Sequence, residues 1–208
     1  MKTVGQPRQK TFFGRRKIDT CHPYLGKSEF KGPGLYVSHQ LRTVDLSTVE
    51  RHPPIVETSV RAMVWRNEDD TRAFAARLAV QPALANAFIE LHGDLGAGKT
   101  TLVRHLLRAL GVTGLIKSPT YAVVEPYELP GLAISHFDFY RFNDPHEWED
   151  AGFRDIFAAP GLKLAEWPEK AASQLPPADL VVRIEAQPDE TRQVTLKAQS
   201  AIGQELLP

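Results

Sequence analysis

Residues 88–111 read FIELHGDLGAGKTTLVRHLLRALG, and the centre of that stretch decides the fold. Gly93-Asp94-Leu95-Gly96-Ala97-Gly98-Lys99-Thr100 fits G-x-x-x-x-G-K-[ST] without a mismatch. The flanks supply the context that the pattern requires. NAFIELHG before it is a short apolar run of strand length. KTTLVRHLLRAL after it places Leu102, Val103, Leu106, Leu107 and Leu110 on one helical face and stops at Gly111. A glycine-rich loop between a strand and a helix is a P-loop.

The residue types explain the chemistry. Gly93, Gly96 and Gly98 let the backbone wrap an anion with φ values that side chains disfavour. The loop N–H groups, including those of Asp94, Leu95 and Ala97, and the start of the following helix then point at phosphate. Lys99 is expected to reach the β- and γ-phosphates, and Thr100 to offer its hydroxyl to Mg²⁺. Thr101 is a further phosphate contact or simply a helix residue.

Working outward from the loop, the chain after it alternates short strands with helices. TYAVVEPY, LAISHFDFYRF and LKLAEW read as strands, PHEWEDAGFRDIFAAPG as one or two short helices, and DLVVRIEA and RQVTLKA as a hairpin around QPDET. The expected fold is an α/β three-layer P-loop NTPase sandwich with a mixed central sheet and a C-terminal β-hairpin. Two apolar strands end in carboxylates: Asp138 in ISHFDFYR and Glu166 in LKLAEWPE. Parallel sheets bind ligands outside the carboxyl ends of their strands, so both are candidates for the metal and the attacking water. Trp167 could pack over Glu166. Thr120 in KSPTYAVVE lies in a loop before a strand, where segments that sense a γ-phosphate sit, although Ser-Pro-Thr is also ordinary turn chemistry. His136 reads as a packed or hydrogen-bonded strand histidine.

Upstream, Asp69-Asp70-Thr71 precede RAFAARLA, with Asp70 or Thr71 as cap and Phe74 and Leu78 on the buried face. Residues 1–62 differ in kind. They hold 11 Lys/Arg against 5 Asp/Glu, whereas residues 63–208 hold 14 against 20, so a +6 segment precedes a −6 segment in a chain of zero net charge. Their Gly, Pro and basic composition without apolar period predicts a basic extension, disordered or loosely packed, serving as a tail or an RNA-touching arm, or reflecting an over-long start before Met63. The expected domains are therefore 1–62 (extension), 63–200 (P-loop domain) and 201–208 (tail). Zero net charge gives no global case for nucleic-acid binding. The single cysteine, Cys21, excludes an internal disulfide framework and a cysteine metal cluster, and no apolar run is long enough to span a membrane. A cytoplasmic setting is the natural expectation.

No Asn/Thr-Lys-x-Asp follows the P-loop to read guanine, so ATP is expected over GTP. GDLGAGKTTLVR, SPTY, HFDFYR and EWPE, in that order, resemble the bacterial TsaE family, the P-loop ATPase of tRNA threonylcarbamoyladenosine biosynthesis. The resemblance covers about residues 63–198, and HFDFYR followed by EWPE is its specific part. It implies ATP and Mg²⁺ as ligands, with Lys99 and Thr100 on phosphate and metal, Asp138 as the H-x-D-x-Y-R aspartate and Glu166 as the metal-side glutamate. It also implies Thr71 near the nucleotide and Arg192 as a nucleotide-side arginine. The partners it implies are the threonylcarbamoyl transferase and its paralogue (TsaD- and TsaB-like proteins), with tRNA met only indirectly. Residues 1–62 have no counterpart in the family. Two other function classes fit a P-loop: a small-molecule kinase, for which the chain after Lys117 has few arginines (Arg141, Arg154, Arg183, Arg192), and a nucleotide-dependent binding switch with negligible hydrolysis.

Overall fold

A computed structural model describes residues 59–142, residue 148 and residues 151–208. In chain order these form β1 (Val60–Trp65), α1 (Glu68–Ala79), a 3₁₀ turn (Pro82–Asn86), β2 (Phe88–His92), α2 (Lys99–Leu110), β3 (Val124–Leu129) and β4 (Leu132–Asp138). There follow α3 (Phe153–Ala158), β5 (Leu162–Glu166), a second 3₁₀ turn (Pro168–Lys170), β6 (Leu180–Ala186), β7 (Arg192–Ala198) and α4 (Ala201–Glu205). The basic segment up to residue 58, and most of PHEWED, lie outside the described residues.

Among the described residues one sheet runs β1-β7-β6-β2-β5-β4-β3. β2 is parallel to both neighbours, β5 and β6, and β4 is parallel to β5. β3, β7 and β1 each join by antiparallel pairing, so the sheet is mixed. The central strands carry little polarity because both of their faces are covered; every residue of β5 is buried. One face packs Phe74 and Leu78 of α1 and Leu102, Val103, Leu106 and Leu107 of α2 against Ile89, Leu91, Ile134 and Leu164. The other buries an aromatic cluster of Phe88, Phe137, Phe139, Trp148 and Phe153. That is the three-layer P-loop NTPase sandwich, with the C-terminal β6–β7 hairpin placed between β2 and the edge strand β1. Each fully buried Leu, Val or Phe contributes roughly 1.5–3 kcal/mol, so the two apolar layers dominate the fold.

Four sequence expectations need correction. The ordered domain begins before residue 63, because β1 starts at Val60 and Ser59 already accepts from Ala198 N at 2.9 Å. Residues 201–208 are not a tail: Ser200 caps α4 by accepting from Gly203 N at 3.1 Å, and Leu206 is buried in the core. Gly203 allows that docking, since a Cβ there would lie 1.9 Å from the Asp179 carbonyl oxygen. The cap of α1 is Asn67, whose Oδ1 accepts from Asp69 N at 3.0 Å and Asp70 N at 3.2 Å. Asp70 instead pairs with Arg66 at 2.9 Å, and Thr71 is buried inside the helix. Lastly, TYAVVEPY is strand only from Val124; Tyr121 and Ala122 lie in a turn. Among the described residues no helix is long and apolar enough to cross a membrane.

Candidate nucleotide site

The loop from Gly93 to Gly98 leaves the carboxyl end of β2 and turns into α2. Gly93, Gly96 and Gly98 have φ of 142°, 80° and 114°, conformations that L side chains rarely adopt. Gly93 is needed for space as well, since a Cβ there would sit 2.2 Å from the Ile184 carbonyl oxygen of β6. Leu95 at the tip is exposed and Ala97 is buried. Lys99, the first residue of α2, is buried and folds back over the loop. Its Nζ donates to Gly93 O at 2.5 Å and to Asp94 O at 3.0 Å. The Trp167 ring covers the same ammonium, 3.9 Å from its centroid. Trp167 packs over Lys99 in a left-handed conformation (φ 56°), 5.0 Å from the ring of Tyr140. Burial lowers the Lys99 pKa from its ordinary value, and the nearby carboxylates of Glu166, Glu169, Asp138 and Asp94 offset part of that.

The two carboxylates stand opposite each other at the ends of β4 and β5, in register Asp138 to Glu166. Their partners differ. Glu166 Oε2 accepts from Thr100 Oγ1 at 2.8 Å and its Oε1 bonds His136 Nε2 at 2.9 Å. Asp138 Oδ2 accepts from the Ser118 and Thr120 hydroxyls, the latter at 2.8 Å, and its Oδ1 accepts from Tyr140 N at 3.0 Å. Ser118 and Thr120 also bond each other at 2.9 Å. Glu166 is thus tied to the P-loop, and Asp138 to the loop that precedes β3.

These groups line a cleft of about 310 Å³ that includes Lys99, Thr100, Thr101, Asp138 and Glu166. A second cleft of about 490 Å³ shares Gly96, Gly98 and Thr101 with it and is lined further by Thr71, Asn67 and Arg192. Arg192, at the start of β7, donates from Nε to Ala97 O at 3.1 Å, which fixes it against the P-loop. Every residue expected at the site is therefore gathered around one loop, with Thr71 and Arg192 on one side and Thr120, Asp138 and Glu166 on the other. An elongated anion could lie across both clefts. Among the described residues no three His, Cys, Asp or Glu side chains are grouped to hold a metal. A hydroxyl beside one carboxylate suits Mg²⁺, which takes few protein ligands and completes its shell with phosphate oxygens and water.

Sequence reasoning missed Ser118 and the bond that His136 makes. His136 has a period-two signal, two residues before Asp138 on the same strand face, whereas Ser118 lies in a loop and is marked only by its nearness to Thr120.

Residues 65–194 match the protein family described as "Threonylcarbamoyl adenosine biosynthesis protein TsaE". The chain is 46% identical over 119 residues to the tRNA threonylcarbamoyladenosine biosynthesis protein TsaE of Haemophilus influenzae, covering 57% of this chain and 75% of that protein. It is 35% identical over 141 residues to the TsaE protein of Bacillus subtilis, covering 67% of this chain and 87% of that protein. Its structure is similar to the crystal structure of Bacillus subtilis YdiB, with a TM-score of 0.58 and 28% identity, over 72% of this chain and 93% of that one.

Proposed function

The chain belongs to the TsaE family of tRNA threonylcarbamoyladenosine biosynthesis, and from that premise we propose that it is a Mg²⁺-dependent ATPase. Its hydrolysis supports repeated turnover of the threonylcarbamoyl transferase and its paralogue, TsaD- and TsaB-like proteins, and it meets tRNA only through them. The observation that carries the reading is the bond between Thr100 Oγ1 and Glu166 Oε2 at 2.8 Å. It joins the P-loop hydroxyl to a carboxylate from a different strand, side by side at the mouth of the phosphate cleft.

In this reading the loop amides and the Lys99 ammonium bind the β- and γ-phosphates, and Thr71 and Arg192 flank the remainder of ATP. Thr100 and Glu166 would hold Mg²⁺, which when bound supplies positive charge to the phosphate oxygens. Asp138, supported by Ser118 and Thr120 in the same cleft, orients the water. That water adds to the γ-phosphorus while the bond to the bridging oxygen breaks; ADP leaves with the electron pair and the water protons pass to phosphate and solvent.

The test is phosphate release from Mg·ATP by the full chain, alone and with the two partners, beside Asp138→Ala and Glu166→Ala. Each variant is expected to lose about tenfold or more in turnover while ATP affinity changes less, as for removal of a group that acts mainly in the transition state. Wild-type turnover in either variant would remove that residue from the reaction. Phosphate transferred to an added small-molecule acceptor would favour a kinase. ATP binding without phosphate release, with or without partners, would favour a switch.

A further inference from the structure

Ile134, His136 and Asp138 share one face of β4, and Leu164 and Glu166 share the adjoining face of β5. His136 is completely buried on this face. Its Nε2 lies 2.9 Å from Glu166 Oε1, while its Nδ1 has no hydrogen-bond partner among the described residues. A neutral imidazole donates from one nitrogen and accepts at the other. Glu166 Oε2 accepts from Thr100 Oγ1, so the contact with His136 Nε2 is made at the other carboxylate oxygen.

We infer that His136 is a positioning residue that holds the Glu166 carboxylate in the orientation that presents Oε2 to Thr100 and to Mg²⁺; the inference rests on the reading of the site given above. The long Glu side chain has several rotatable bonds, and a hydroxyl contact to one oxygen does not fix the plane of the carboxylate. A second bond, to the other oxygen and from a neighbouring strand, does. The neighbouring strand also holds the Glu166 backbone, because Phe139 N donates to Glu166 O at 3.0 Å. An aliphatic side chain at 136 would fill an apolar face without stranding Nδ1. What the imidazole supplies in return for that stranded nitrogen is the bond to Oε1, and its place behind the carboxylate, away from the cleft, gives it no contact with the reacting atoms.

The experiment compares full-length wild type with His136→Leu, His136→Gln and His136→Asn. Glutamine can place an amide N–H near the position of Nε2; asparagine is too short and reaches only the Nδ1 position. Three quantities are measured: nucleotide affinity in EDTA, nucleotide affinity as Mg²⁺ is titrated, and the kcat and KM of hydrolysis, with a thermal melt for folding. In His136→Leu and His136→Asn the Mg²⁺ concentration at half-effect is expected to rise, and kcat to fall, by about tenfold, the lower range for groups that orient metal ligands. KM and the affinity in EDTA should stay within about threefold, because the P-loop is untouched. His136→Gln should return the Mg²⁺ half-point to within about threefold of wild type. An unchanged Mg²⁺ half-point in folded His136→Leu would overturn the inference, and so would equal behaviour of Gln and Asn. If His136→Leu does not fold, the Gln and Asn pair alone decides. If the wild type binds Mg·ATP without hydrolysing it, the ATPase reading fails, while the Mg²⁺ titration still tests His136.

Discussion

The Lys99 ammonium is kept by the protein in a setting that suits phosphate better than solvent or carboxylate. Its hydrogen bonds go to the Gly93 and Asp94 carbonyls and an indole ring covers it, so among the described residues the positive charge is held without a directly bonded counter-ion. Removing it in Lys99→Ala should reduce ATP affinity by about a hundredfold or more, the scale of a lost buried charge contact. Thr100→Ala should leave affinity in EDTA nearly intact and weaken the Mg²⁺-dependent part. A titration of each variant with and without Mg²⁺ checks both, and unchanged Mg·ATP affinity in the two would refute the site. The lowered Lys99 pKa gives a further expectation. Between that lowered value and the ordinary 10.5, the unfolded chain binds more protons at this residue than the folded one. Lys99 therefore costs stability in full below the window, and the cost is relieved as pH rises through it. Bound phosphate reverses the preference by giving the ammonium a counter-ion. ATP binding inside the window should take up a proton, and affinity should fall as pH rises. Calorimetry in two buffers of different ionisation enthalpy reads the uptake directly, and Lys99→Arg, which stays charged, should abolish it.

Among the elements, β1 and α4 are the two that the sequence did not announce, and both are testable. A chain beginning at Ser59 should match the full chain in melting temperature. One beginning at Met63 loses the pairing of Val60, Arg61 and Ala62 with Lys197, Leu196 and Thr195. That removes about 2 kcal/mol, taking each net backbone hydrogen bond at roughly 1 kcal/mol. A chain starting at Met63 that melts with the full chain would mean that β1 adds nothing. Leu206→Ala, which empties a buried position at the end of α4, should cost roughly 2–5 kcal/mol; a loss under about 0.5 kcal/mol, the surface range, would place the helix outside the core. The reasons for the two omissions are physical. β1 is an edge strand whose side chains are mostly exposed, so VRAMVW lacks the alternation that marks a half-buried strand. α4 is a helix of 5 residues, too short to show a period. The elements that position the phosphate cleft were legible for the opposite reason. β2 and β5 are buried along most of their length and read as nearly continuous apolar runs, α2 buries one helical face with a clear period, β4 ends in buried residues, and the site residues sit at the ends of these elements. The Asn67 cap was misplaced because Asp69, Asp70 and Thr71 are all capping types, and only the register of the first turn selects among them. Glu166 was legible as a strand-end carboxylate, but its bond to His136 was not, since the registry of β4 against β5 is not written in either strand.

For the molecule as a whole, ATP should outcompete GTP, because no guanine-reading segment follows the P-loop; equal or tighter GTP binding in a competition titration would overturn this. The +6 charge of residues 1–62 should add a salt-sensitive component to any contact with tRNA or an acidic partner face, since interactions between charges in water are screened within about 8 Å at physiological ionic strength. tRNA-modification activity with partners, for the full chain and the chain from Ser59 at two salt concentrations, measures it, and identical salt dependence would assign the extension no electrostatic role. The sheet order has a temporal consequence. Thr100 and Glu166 are 66 positions apart, and Arg192 and Ala97 are 95 apart. A nascent or refolding chain can close the local P-loop turn early, but it gains the carboxylate only when β5 has crossed over to lie beside β2, and the arginine only when the last hairpin has docked. Parallel pairing of this kind is slow, because the long connection must close before any contact repays it. On the proposed reading, Mg²⁺-dependent nucleotide capture would therefore be a clock for the final step of folding: in a refolding time course it should rise with the last kinetic phase, after helical signal has already returned.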